Sequence, residues 1–248
     1  MALPANLLER LPLALTLPGK AAGSEVARGL PLGVAELDEL LPDGGLLRGG
    51  VVELCVRGGA GLATSLALTA CRAAQDEARR LGGAVPWCAF VDPSSTLFAP
   101  GVAEAGVALE RLLVVRPTLE ALSRVAVRLV ESQAFAVTVI DTAGVPGAEL
   151  DVSLGSWPRI VRRLSMSLEG SAGLVLLVTD AAAARPLPLP VAMRLELGRS
   201  EEGRLSLRVA KDKYGRVSGP RSIAWVRGPR PHLEVEQNEL PRAGAASA

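Results

Sequence analysis

Val51-Val52-Glu53-Leu54-Cys55-Val56-Arg57-Gly58-Gly59-Ala60-Gly61-Leu62-Ala63-Thr64-Ser65-Leu66 is an apolar strand that runs into glycines and then into a helix-forming stretch. That is the strand–loop–helix setting of a phosphate-cradling loop, whose full pattern is Gly, four residues, then Gly-Lys-Ser/Thr. Laid on 56–63, the first glycine is Val56, the lysine is Leu62 and the metal-binding hydroxyl is Ala63. Of the pattern's fixed positions only Gly61 stands. A leucine cannot neutralise a phosphate, and an alanine cannot ligate a metal. Gly58, Gly59, Gly61, Leu62 and Ala63 therefore read as a degenerate nucleotide site. Read alone, Gly-Gly-Ala-Gly after a strand is more often an ordinary strand-to-helix turn, so the flanking elements have to decide.

Outward from this loop the pattern is regular. Pro86–Val91 reads as a strand closing on Asp92, and Leu112–Val115 as another. Ala136–Ile140 is β-branched and closes on Asp141; Leu174–Val178 is wholly apolar. Helical periodicity covers Thr64–Leu81, Leu119–Glu131 and Trp157–Leu168, and a small-residue helix is expected over Val102–Glu110. A short helix is expected within Leu32–Leu41, ended by Pro42-Asp43-Gly44-Gly45. Short strands alternating with helices describe βαβ units and a parallel sheet. After Asp180 the helices stop. Met193–Leu197, Arg204–Lys211 and Arg221–Val226 alternate apolar and polar residues, which predicts an antiparallel addition to the sheet. The organisation read here is an N-terminal arm over 1–25, one core domain over 26–227, and a Pro/Gly/Ala/Glu-rich tail over 228–248.

Composition narrows the chemistry. The 248-residue chain is 49% hydrophobic with a mean hydropathy of +0.30, yet no apolar run approaches the length needed to span a bilayer. The stretch Met1-Ala2-Leu3-Pro4 lacks a basic region followed by an apolar core, so no secretory signal is expected there; Cys55, Cys71 and Cys88 read as buried reduced thiols, and a cytoplasmic location is expected. His232 is the single histidine, in the tail, which argues against histidine-based triads and metal centres. No metal and no cofactor are assigned. Net charge is +1, but Arg185–Arg230 holds 11 basic residues against 4 acidic, and the rest holds 16 against 22. A basic C-terminal third suits a polyanion or an acidic partner surface, or is simply a solvated face.

In this order, the elements resemble the RecA recombinase core over roughly residues 28–227. The resemblance rests on Leu30–Asp38 with Gly44–Gly49, on Glu53-Leu54 before the loop, on Cys88-Ala89-Phe90-Val91-Asp92, and on Val137-Thr138-Val139-Ile140-Asp141 as the Walker B strand. Leu174–Thr179, Met193–Leu197 and Arg208–Lys213 continue it. It implies an α/β, three-layer RecA-like core with a mainly parallel sheet and antiparallel strands at its C-terminal side. The departures agree with one another. Besides Leu62 and Ala63, the position of the water-activating carboxylate is occupied by Ser94, and that of the γ-phosphate-sensing glutamine by Asp180. Asp141 survives. Phosphoryl transfer works by positioning and charge neutralisation, so these losses together imply a protein that is not an ATPase.

A short, ATPase-decayed RecA-like chain with a basic C-terminal side resembles the ImuA family. That resemblance implies an accessory role in SOS-induced translesion synthesis and DNA-damage mutagenesis, with RecA or the inactive polymerase relative ImuB as partner and single-stranded DNA as a second candidate ligand. Candidate DNA- or partner-binding residues are Arg185, Lys211, Lys213, Arg216 and Arg221; exposed alternate positions on a strand explain Lys211 and Lys213 without any ligand. Arg159, Arg162 and Arg163 read first as solvated helix positions and second as partner contacts. Glu149 and Asp151, in an expected loop over Ala143–Leu154, would repel DNA. Two other readings stay open: an interaction-only module like the SulA division inhibitors, and a weak ATPase with a deviant loop that recruits Lys20, Lys211 or Lys213. The leucine-rich arm suits docking on a neighbour or on its own core.

Overall fold

The computed structural model of this chain describes residues 28–57, 61–183 and 188–224. Gly58, Gly59 and Arg185, the arm over 1–25 and the tail over 228–248 lie outside the described residues.

Chain order begins with β1 (Gly29–Leu30), α1 (Ala35–Leu40) and β2 (Leu46–Leu47), the two strands forming a small antiparallel pair. Then come β3 (Gly50–Val56), α2 (Gly61–Arg80), β4 (Trp87–Val91), α3 (Ala99–Glu104), β5 (Leu112–Val115), α4 (Leu119–Glu131) and β6 (Phe135–Asp141). A hairpin of β7 (Gly144–Val145) and β8 (Ala148–Glu149) leads to α5 (Trp157–Leu168) and β9 (Leu174–Asp180). The described chain closes with β10 (Met193–Arg199), β11 (Leu205–Asp212) and β12 (Arg221–Ile223).

One eight-stranded sheet, in the order β12-β11-β10-β3-β9-β6-β4-β5, carries the fold. The strands from β3 to β5 pair in parallel, as the βαβ pattern requires. β3 and β9 are buried along almost their whole length because helices cover both faces, which is why they read as continuous apolar runs. One face packs Val52, Leu54 and Val56 against α2, α1 and α3; the other packs Val51, Val175 and Leu177 against α4 and α5. α5 shows how sequence sets this. Trp157, Val161, Leu164 and Leu168 recur every three to four residues and are all buried, each contributing about 1.5–3 kcal/mol. The observed architecture is the three-layer α/β arrangement expected, with antiparallel strands at the C-terminal side.

Three local expectations are corrected. β10 is antiparallel on one side only: it pairs antiparallel with β11 as expected, but it joins the sheet parallel to β3, with Met193 opposite Val52 and Leu197 opposite Val56. Alternation reports which face is buried, and it carries no information on strand direction. The helix expected over 102–110 instead spans Ala99–Glu104 and ends where Gly106 takes φ +81°, with a separate 3-10 turn at Leu109–Arg111. The stretch expected as a loop over 143–154 contains the β7–β8 hairpin.

Candidate functional site: a nucleotide loop without its charges

β3 ends at Val56, and α2 starts at Gly61. Leu62, in the lysine position, is half-buried and packs on the core, while Ala63 is fully buried. Ser65 turns its hydroxyl back to the carbonyl of Gly61 at 2.8 Å, and Thr69 donates to the carbonyl of Ser65 at 2.9 Å. Both hydroxyls are thus spent on their own helix. Residues 61–65, at the head of α2, include no basic side chain.

A cavity of about 500 Å³ opens here between α2 and α3, at the carboxyl ends of β4 and β6. Thr64, Ser65 and Phe98 line it, and its charged groups are Asp92, Asp141 and Glu104 with one cation, Arg72. This is where open parallel sheets place ligands. Asp92, fully buried after β4, accepts from the backbone N–H of Thr96 at 3.1 Å and of Leu97 at 3.0 Å, and from Ser94 Oγ at 3.0 Å. Arg116 approaches it at 3.5 Å. Asp141 accepts from the N–H groups of Ala143 and Gly144, both at 2.9 Å. Burial pushes its carboxyl above the ordinary range; the negative charge of Asp92 adds to this, and the two N–H groups oppose it. Among the described residues, no group of three or more His, Cys, Asp or Glu is placed to hold a metal ion.

Sequence reading named Asp141 but assigned Asp92 no role. The available signal was an aspartate at the end of a parallel strand adjacent to the strand of Asp141. It also assigned no role to Glu53 beyond its place in the strand. Glu53 lies fully buried on β3, accepting from Thr179 Oγ1 at 2.7 Å and from Arg194 Nε at 2.7 Å. Asp180, the sensor position, is exposed and accepts from the N–H of Ala182.

The basic candidates fall at separate places. Lys211 sits on β11 opposite Arg194 and donates to the carbonyl of Leu189 at 3.4 Å. Lys213 lies just past the strand, its ammonium 4.9 Å from the ring centre of Tyr214. Arg216 stacks on the same ring at 5.0 Å, so these three side chains are brought together. Arg216 is already engaged: it grips both oxygens of Asp43 at 2.8 Å and Asp212 at 3.0 Å. Arg221 opens the edge strand β12 and is exposed. Glu149 and Asp151 are exposed near the hairpin. Cys55, Cys71 and Cys88 are buried, as expected. No helix among the described residues is long and apolar enough to cross a membrane.

No protein-family model matches the chain. It is 33% identical to the RecA protein of Chloroflexus aurantiacus over 162 residues, covering 63% of this chain and 44% of that protein. It is 33% identical to the RecA protein of Acidiphilium cryptum over 174 residues, covering 65% and 48% respectively. With the RecA protein of Heliobacterium modesticaldum the identity is 34% over 141 residues, covering 55% and 38%. The chain spans less than half the length of these relatives. Similarity and sheet order agree that this chain carries a RecA-like core.

Proposed function

We propose that this chain is a non-catalytic RecA-like accessory protein of DNA repair. In the finer reading it is ImuA-like, acts in SOS-induced translesion synthesis and mutagenesis, and works by binding RecA or an ImuB-type polymerase relative. Single-stranded DNA is a second ligand, reached through Lys211, Lys213 and Arg221. The observation that carries the reading is Leu62. The position that would hold the phosphate-neutralising lysine is an apolar side chain packed into the core. Ala63 behind it is buried, and the nearby hydroxyls of Ser65 and Thr69 are bonded to backbone. A fold kept without the charges that phosphoryl transfer uses supports recognition as the retained task. Among the described residues Tyr214 is the one aromatic beside the basic candidates, so DNA contact is chiefly electrostatic and salt-sensitive.

The test is ATP binding by calorimetry and phosphate release, with and without single-stranded DNA, followed by pull-down with purified RecA and an ImuB-type protein. The expected result is no nucleotide binding, no turnover, and retention of one of the two proteins. Micromolar ATP binding with turnover would overturn the reading.

A further inference from the structure

On the sheet face away from the nucleotide cavity, α4 and α5 pack side by side and leave a groove of about 660 Å³ between their outer surfaces. Arg124 and Arg128 edge it from α4, and Arg159 and Arg163 from α5. Each pair is spaced i, i+4, about 6 Å along its helix, so two short arginine rows face one another. The floor is apolar, made by Val127 and Ile160. Glu131 is the single acid of the lining and is held by Arg163 at 2.6 Å. Among the described residues no carboxylate pairs with Arg124, Arg128 or Arg159. All four arginines are exposed. The groove carries a formal charge of +3, although the chain as a whole carries +1.

We infer that this groove is a docking site for an acidic amphipathic helix of a partner protein. Arginine rows with a helical repeat match glutamates or aspartates spaced i, i+4 on a facing helix, and guanidinium forks bind carboxylates in two-pronged fashion. Val127 and Ile160 give the partner's apolar stripe a floor, the helix-in-groove mode of recognition. Single-stranded nucleic acid fits less well. No aromatic side chain lines the groove for a base to stack on, and an apolar floor contributes nothing to a phosphate backbone. The inference is independent of the nucleotide-site reading, because the cavity lies between α2 and α3 on the opposite face.

The probes are a synthetic helical peptide with glutamates at i, i+4 along both edges of a leucine stripe, a scrambled peptide of equal composition, and a thymidine oligonucleotide. Binding to the full chain is read by fluorescence anisotropy at several salt concentrations, for the wild type and for Arg124→Glu/Arg128→Glu. These side chains are exposed, and an unchanged melting temperature verifies folding. The expected result is salt-sensitive binding of the helical peptide over the scrambled one. The double substitution weakens it roughly tenfold or more, with oligonucleotide binding unchanged. Equal binding of both peptides would reduce the groove to undirected charge and overturn the inference. So would loss of oligonucleotide binding alone, which would make this a nucleic-acid surface, or no effect on any probe.

Discussion

Arg194 on β10 and Glu53 on β3 are register partners in parallel strands, and they meet at 2.7 Å with Glu53 fully buried. Thr179 on β9 hydrogen-bonds the other carboxylate oxygen, so one buried acid ties three adjacent strands together. Arg194→Met removes one of Glu53's partners and leaves a buried charge worse compensated. The expected loss is about 3 kcal/mol in urea unfolding. The companion Glu53→Leu/Arg194→Met, which removes both charges, should recover most of it. If the single and double variants are equally unstable, the pair does not work this way.

The clamp of Arg216 on Asp43 and Asp212 joins the end of β11 to the turn after α1. Hydrogen bonding from Arg216 is the main reason the Asp43 carboxyl lies below its ordinary value of 3.8. For Asp212 burial is the strongest influence and pushes upward, but Arg216 and the N–H groups of Arg216 and Tyr214 together bring the net value below 3.8. Lowered carboxyls stabilise the fold above the unfolded-state value and lose that contribution as pH falls through the folded-state values. Arg216→Met should lower the melting temperature by a few degrees at pH 7. The gap from wild type should close as pH drops below about 4. A gap constant down to pH 2 would mean the arginine acts through packing alone.

Restoring the missing charges separates binding from turnover. Leu62→Lys/Ala63→Thr places a lysine and a hydroxyl at the head of α2. Leu62 is half-buried, but Ala63 is fully buried and threonine there overpacks the core, so the stability cost is roughly 2–4 kcal/mol. Calorimetry should detect Mg-nucleotide binding absent from the wild type. Phosphate release should stay at background, because Ser94 and Asp180 still occupy the positions that the RecA resemblance gives to the base and the sensor.

Gly144 holds the loop over Asp141. It takes φ +71°, and a Cβ there would lie 2.2 Å from the carbonyl oxygen of Ala148. Gly144→Ala should cost roughly 1–3 kcal/mol and open the β7–β8 hairpin, with faster amide exchange at Ala143 and Gly144 as the readout. Unchanged exchange would show that the hairpin absorbs the side chain.

Much of the fold is legible in the residues alone. α4 and α5 were read with their observed ends, because an amphipathic period of 3.6 survives whatever the helix packs on. β5 was read likewise, and β3, β6 and β9 to within a residue or two, because a strand covered on both faces must be apolar throughout. The absence of a lysine at position 62 and of a hydroxyl at 63 is a fact of sequence, and no tertiary arrangement restores those groups in place.

Only the tertiary structure decided the rest. The direction of β10 depends on which strand it joins, and hydrophobic alternation is identical for parallel and antiparallel neighbours. Asp92 and Asp141 share one cavity because β4 and β6 are adjacent in the sheet while 49 positions apart in the chain. Arg216 reads in sequence as a candidate DNA or partner contact, whereas the fold brings the chain-distant Asp43 to it and engages its guanidinium. The arginine groove is the clearest case. Arg159 reads as a solvated residue of its own helix and Arg124 stands out in no sequence pattern, and they form one surface only because α4 and α5 pack side by side on the same sheet face. Local patterns record what each element buries, whereas charge is shared through space, and the sum at any point is set by the packing.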